Sequence, residues 1–174
     1  MKIYVLLADR GTHNTQTGTL NLLNVGWAIT YLRPSPGVTG PDAALALVTG
    51  SSVVVVFVEA ELAMCNKTLK LEIELLTEDG QVVAIPGPAG PQAVRLEQSI
   101  IVPSPPGVPT GFPGHATAMM ELSTGIPLAP GIYRWQARVN SRGEDDWSAR
   151  FYVAAPLQPP TFGYPSPAAP EAGM

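Results

Sequence analysis

Two histidines, His13 and His115, are the first candidates for proton transfer, because imidazole is the side chain whose ordinary pKa lies nearest neutrality. His13 stands in a run of Thr and Asn, and His115 directly follows Gly114; neither is accompanied by an acid or nucleophile at catalytic spacing. A surface histidine is the better reading of both. Glu144, Asp145 and Asp146 cluster three carboxylates that would suit a calcium-like cation, but the spacing is not that of a calcium hand and a solvated turn accounts for them. Glu72 and Glu74 share a strand face with Lys70 and read as a solvated edge, since the paired carboxylates of a glycosidase would need a cleft. Cys65 is single, which excludes an intrachain disulfide and a thiolate cluster. Asn66-Lys67-Thr68 fits a glycosylation acceptor and is read as an ordinary turn. No nucleophile elbow, zinc-protease helix, phosphate loop or dinucleotide fingerprint occurs. The expectation is a protein without catalytic residues, cofactor or metal.

Arginines make the stronger case. Arg134, Arg138 and Arg150 fall on one face of a predicted hairpin, interleaved with Gln136, Ser148 and Tyr152, in a chain that has only 10 basic residues. Arginine and tyrosine are the residue types that contact surfaces favour, so Arg134, Arg138, Arg150 and Tyr152 are candidate interaction residues; the competing reading is an ordinary polar sheet face. Phe162 and Tyr164 are further candidates, as aromatic anchors in a proline-rich C-terminal segment.

The elements that position these residues follow from period-two alternation. Residues 131–139 place Tyr133, Trp135, Ala137 and Val139 on one face, and residues 147–153 do the same with Trp147, Ala149, Phe151 and Val153. That is a hairpin with an aromatic inner face and the arginines outside. Upstream, residues 2–9 read as a central strand because both faces are apolar, and 10–18 as a polar loop. Residues 19–30 read as a second strand that forms a hairpin with the first, with a bulge marked by Gly26. Residues 41–48 suit either a short helix or a strand. Strands follow at 53–64 and 69–75, with an Asp-Gly turn at 77–80 and a return at 81–85. Pro86–Pro91 reads as a rigid loop, 92–102 as a strand, 102–114 as a proline-rich loop, and 116–122 as a strand. With about eight or nine strands and short turns, the predicted fold is all-β, an antiparallel sandwich of immunoglobulin-like or jelly-roll-like type. One domain spans 1–154, and 155–174 is an extended Pro/Ala-rich tail.

Composition narrows the partners. A chain of 174 residues with 14% charged residues, 19 prolines and 17 glycines is turn-rich and poor in surface charge, which suits burial against neighbours. A net charge of −4 argues against nucleic-acid binding. The apolar runs at 3–8 and 53–58 are too short for a membrane span or a signal peptide, so the expectation is a cytoplasmically made protein without membrane attachment.

The N-terminal segments Ile3–Asp9 and Gly18–Trp27, together with Pro130-Gly131-Ile132-Tyr133, resemble an uncharacterised β-sandwich family found in actinobacteria and their tailed phages. Its members similarly begin with a strand ending near Ala-Asp, followed by a Gly-x-Leu strand ending near Gly-Gly or Gly-Trp. The resemblance covers the first thirty residues and the last hairpin, carries no catalytic residues, and implies a phage or actinobacterial setting. The expected function is that of a non-enzymatic structural or interaction protein with protein partners, as a homo-oligomer or part of a larger assembly. An accessory subunit of a phage particle, such as a capsid decoration or minor tail protein, is the leading form of it. That would place it in the virion. The alternative is a ligand- or carbohydrate-binding module using Phe112, Phe162 or Tyr164.

Overall fold

The computed structural model describes residues 1–14, 19–37, 46–107, 109 and 111–156. Phe162, Tyr164 and the tail from 157 onward lie outside them, as do 41–45 of the segment that suits a helix or strand.

Valine and isoleucine in alternation favour the pleated sheet because their branched side chains pack on it and lose little freedom there. Several of the strands that make up most of the described chain are of this kind, among them Lys2–Ala8 and Ser52–Ala60. In chain order the strands are β1 (Lys2–Ala8), β2 (Arg10–Asn14), β3 (Thr19–Leu23), β4 (Ile29–Tyr31), β5 (Arg33–Pro34), β6 (Leu47–Val48) and β7 (Ser52–Ala60). Then come β8 (Thr68–Thr77), β9 (Ala84–Gly87), β10 (Gly90–Ala93), β11 (Arg95–Ile101), β12 (Gly114–Leu122), β13 (Gly131–Val139) and β14 (Ser148–Ala154). Helical structure among the described residues is confined to one 3₁₀ turn at Leu62–Met64.

Two sheets form the body. One has the order β1-β7-β12 and the other β11-β8-β13-β14-β4, all antiparallel except for the β14–β4 pair. Between them lie Ile3, Val5, Leu7, Val54, Val56 and Val58 from the first sheet and Leu69, Leu71, Ile73, Leu75, Trp135 and Val139 from the second. Among the strands of these two sheets the chain crosses after β1, β4, β7, β11 and β12, while β8–β11 and β13–β14 stay within one sheet. That is the connectivity of an immunoglobulin-type sandwich, with three strands against four and β4 added to the edge. A further mark of this architecture stands at the start of β13, where the Tyr133 hydroxyl donates to the Ala129 carbonyl at 3.0 Å. Where immunoglobulin domains centre the core on a disulfide, this one has Trp135, which is 1% exposed.

The hairpin over 131–153 is as the alternation predicts, in the register Tyr133↔Phe151, Arg134↔Arg150 and Trp135↔Ala149. Its rings form the aromatic floor of the core, with Tyr133 stacked on Phe151 at 5.9 Å and Trp27 meeting Phe151 edge-on at 5.8 Å.

Several local expectations are corrected. β1 is an edge strand, paired only with β7. That hairpin forms where a loop is expected, with Arg10↔Leu23 and Asn14↔Thr19 as its ends, so residues 19–23 pair with 10–14 and not with β1. It lies over the outer face of the three-stranded sheet: a Cβ at Gly11 would stand 2.9 Å from Met119 Sδ and 3.5 Å from Val53 Cγ1. This is why Val53 and Val55, which face away from the core, are nonetheless buried. Gly26, at φ +79°, sits in a turn separating β3 from β4 and not in a bulge. Residues 47–48 of the ambiguous segment are strand β6. Pro86–Pro91 contributes to a small hairpin, β9–β10, since proline needs no ladder donor in a two-stranded ribbon. β8 lies inside its sheet between β11 and β13, so Glu72 and Glu74 are not an edge.

Candidate interaction surface

Outward-facing residues of the five-stranded sheet divide into two zones. At the β11 side, alternation puts Arg95 and Glu97 opposite Glu74 and Glu72 on β8, and Arg138 of β13 opposite Glu72 from the other side. Opposite charges in cross-strand positions attract, and the one like-charged pair, Glu72 with Glu97, is bridged by Lys70, which closes the lattice. Lys70 Nζ reaches Glu72 at 2.7 Å and Glu97 at 3.1 Å, Arg95 reaches Glu97 at 3.6 Å, and Arg138 reaches Glu74 at 3.4 Å. The Lys70 ammonium, hydrogen-bonded to Glu72, holds that carboxyl below its ordinary range, and Lys70 is raised in turn by Glu72 and Glu97. Each charge of the lattice has an opposite charge within ion-pair reach, although Glu74 Oε2 is buried without a hydrogen bond, and Arg138 belongs to it.

The second zone is different. Arg134 and Arg150 are direct cross-strand partners, which places their Cβ atoms about 4.5–5.5 Å apart with like charges facing. Arg150 is relieved by Glu78 at 2.9 Å. Glu78 belongs to the 77–80 turn, which is held by Thr77: its hydroxyl bonds Asp79 and accepts from the Gln81 amide at 3.0 Å. Gly80 closes the turn at φ +82°, the left-handed region that glycine adopts without strain, and a Cβ there would stand 3.7 Å from Arg134 Nη2. Among the described residues no carboxylate comes within ion-pair distance of Arg134, and its Nε is buried without a hydrogen-bond partner. Glu78, Ile132, Arg134, Asp145, Ser148 and Arg150 line a cleft of about 300 Å³ between the hairpin and the turn.

Beside this cleft the sheet turns apolar. The parallel pairing of β4 sets Ile29 next to Tyr152 and Tyr31 next to Ala154, with Ile132 on the other flank of Tyr152. Ile29 is 55% exposed, Tyr31 46% and Tyr152 45%, so large apolar side chains cluster in the open. Sheet faces turned to water seldom look like this, and aromatic anchors flanked by arginine are what contact surfaces use. Of the residues singled out from sequence, Arg134, Arg150 and Tyr152 therefore come together. Arg138 is drawn off into the lattice, and Phe162 and Tyr164 lie outside the described residues. Ile29 and Tyr31 escaped the sequence reading because nothing in their own strand signals that it will pair with β14, more than a hundred positions away.

The other chemical candidates are dispersed. His13 lies exposed on β2 opposite Leu20, and His115 lies on β12 opposite Glu59, which instead pairs with Lys2 at 3.7 Å. Neither histidine makes a hydrogen bond or ion pair to a carboxylate among the described residues. Phe112 packs edge-on against His115 at 6.2 Å. Glu144 pairs with Arg142 at 2.8 Å, and no group of three metal-ligating side chains forms among the described residues. Cys65 is buried, and Asn66, at φ 58°, accepts from the Ser104 amide at 3.2 Å, fixing the turn between β7 and β8. A second cleft, of about 420 Å³, is lined by Asp9, Thr12, Ser52, Glu121 and Ser123, and Asp9 is occupied by the Asn24 amide at 2.8 Å. No helix among the described residues is long and apolar enough to cross a membrane.

No family model matches the chain, and no curated protein matches it.

Proposed function

We propose that this protein is a non-enzymatic subunit that works by protein contacts, as an accessory component of a phage particle such as a capsid decoration or minor tail protein. The observation that carries the contact part of the reading is the Ile29, Tyr31 and Tyr152 cluster beside Arg134 and Arg150 on an open sheet face. Exposed apolar area of this kind is withdrawn from water when a partner covers it, at roughly 25 cal/mol per Å². The low charge density of the chain supports burial among neighbours. The phage setting rests on the N-terminal and Pro130–Tyr133 resemblance.

Sedimentation of the native source material, followed by mass spectrometry of each fraction, tests the reading. It predicts that the chain travels with megadalton particles. Recovery only among small species would overturn the particle assignment.

A further inference from the structure

We propose that the cleft between β13, β14 and the 77–80 turn is a carboxylate-binding site, in which Arg134 takes an acidic side chain of a protein partner. The proposal deepens the contact reading and rests on it for the partner's being a protein; the site itself rests on the geometry of Arg134.

The surrounding arginines set the standard. Arg95, Arg138, Arg142 and Arg150 each have a carboxylate within ion-pair reach, at 3.6, 3.4, 2.8 and 2.9 Å. Arg134 has none among the described residues, although it faces the like charge of Arg150 and its Nε is cut off from water. A buried donor without an acceptor is unfavourable, and more so on a charged group. An incoming anion in the cleft would relieve the facing charges of Arg134 and Arg150. Asp145 also lines the cleft, and its loop is held by two hydrogen bonds. Ser148 Oγ donates to the Asp145 carbonyl at 2.7 Å and Gln136 Nε2 to the Glu144 carbonyl at 2.9 Å.

Ligand chemistry follows from shape and charge. A guanidinium fork matches a planar carboxylate through two parallel hydrogen bonds. Glu78 and Asp145 line the cleft beside Arg134 and Arg150, so its formal charge is balanced and a singly charged carboxylate, which costs less to desolvate than a doubly charged phosphate, is favoured. Ile132 and Tyr152, with Ile29 beyond, border the site and would receive an apolar neighbour of the acidic residue. The favoured ligand is thus a glutamate or aspartate flanked by apolar side chains, on a partner's surface.

The test uses the full chain labelled with ¹⁵N and follows the arginine Nε–Hε resonances at constant ionic strength. The probes are sodium acetate, inorganic phosphate, and the capped tripeptides acetyl-Leu-Glu-Leu-amide and acetyl-Leu-Gln-Leu-amide. Acetate should move the Arg134 resonance saturably in the millimolar range, inside the ceiling for a ligand of four non-hydrogen atoms. The glutamate tripeptide should bind more tightly than acetate, and the glutamine tripeptide should not bind. Arg134→Lys should weaken binding about tenfold by removing the fork, while Arg138→Lys should leave it unchanged. A response to phosphate stronger than to acetate, equal responses to both tripeptides, or no saturable shift at Arg134 in the wild-type chain would each overturn the proposal. Because the particle assignment is read by sedimentation, failure of either leaves the other standing.

Discussion

Gln136 Nε2 donates to the carbonyls of Ala137, Glu144 and Trp147 at 3.3, 2.9 and 3.2 Å, and the side chain that does so is only 6% exposed. It closes the 140–147 loop over the hairpin and so fixes where Asp145 stands against the arginine cleft. Gln136→Leu should remove those donors from buried carbonyls at a cost of about 1–3 kcal/mol. Urea denaturation reads the loss, and amide exchange should accelerate in 140–147 before the sheet is affected; uniform exchange across β13 would contradict the assignment. Gly125 is a second sensitive position, because it holds φ +76° and an added Cβ would fall against the Thr49 carbonyl oxygen. Gly125→Ala should destabilise by about 2 kcal/mol or more, seen as a lower urea midpoint. At this scale the sequence was half legible. Alternation says that Arg134, Gln136 and Arg138 share a face, and they do. It does not say what lies above that face, so the open arginine, the covered glutamine and the lattice arginine looked alike.

Strand β8 draws its inner face, Leu69 to Leu75, into the core and turns Lys70, Glu72 and Glu74 to the ion lattice. The lattice gives this element a pH signature. Glu72 is held below its ordinary value of 4.5, so its contribution is present above that value and is lost as pH falls through the folded one. Lys70 is raised above its ordinary 10.5, so its contribution is present below that value and fades as pH rises through the folded one. Stability should therefore be flat with respect to this pair at neutral pH and fall on acidification through the carboxylate range. Glu72→Gln should flatten that acid limb in urea midpoints taken between about pH 3 and 7, with only a small effect at neutrality because the pair is partly solvated. Parallel profiles for variant and wild type would show that the acid limb comes from elsewhere. Most strands were readable from pattern, but β2 and the β9–β10 ribbon fell in segments read as loops; which strands meet was readable only where a short connection joins them. The 131–153 hairpin was placed correctly for that reason. β1 with β7 and β4 with β14 join across long separations, where loop closure and burial, not local spacing, decide the pairing.

Across the whole molecule the two faces of the sandwich differ in what they leave to water. The smaller sheet carries the β2–β3 hairpin over the Val53 and Met119 part of its outer face, whereas the larger sheet shows a neutralised charge lattice at one side and an open apolar and arginine zone at the other. The proposed contact with other subunits falls on the β13–β14–β4 side. The most direct test is incorporation: particles are assembled in the presence of equal amounts of wild type and of an Arg134→Glu/Arg150→Glu variant, and the ratio in the sedimented particle is measured by quantitative mass spectrometry. Thermal melts of the purified chains confirm beforehand that both are folded. The account predicts that the variant is depleted about tenfold or more, because each reversal sets a like charge against the partner's acidic group. Equal incorporation of a folded variant would contradict it and move the contact to another face.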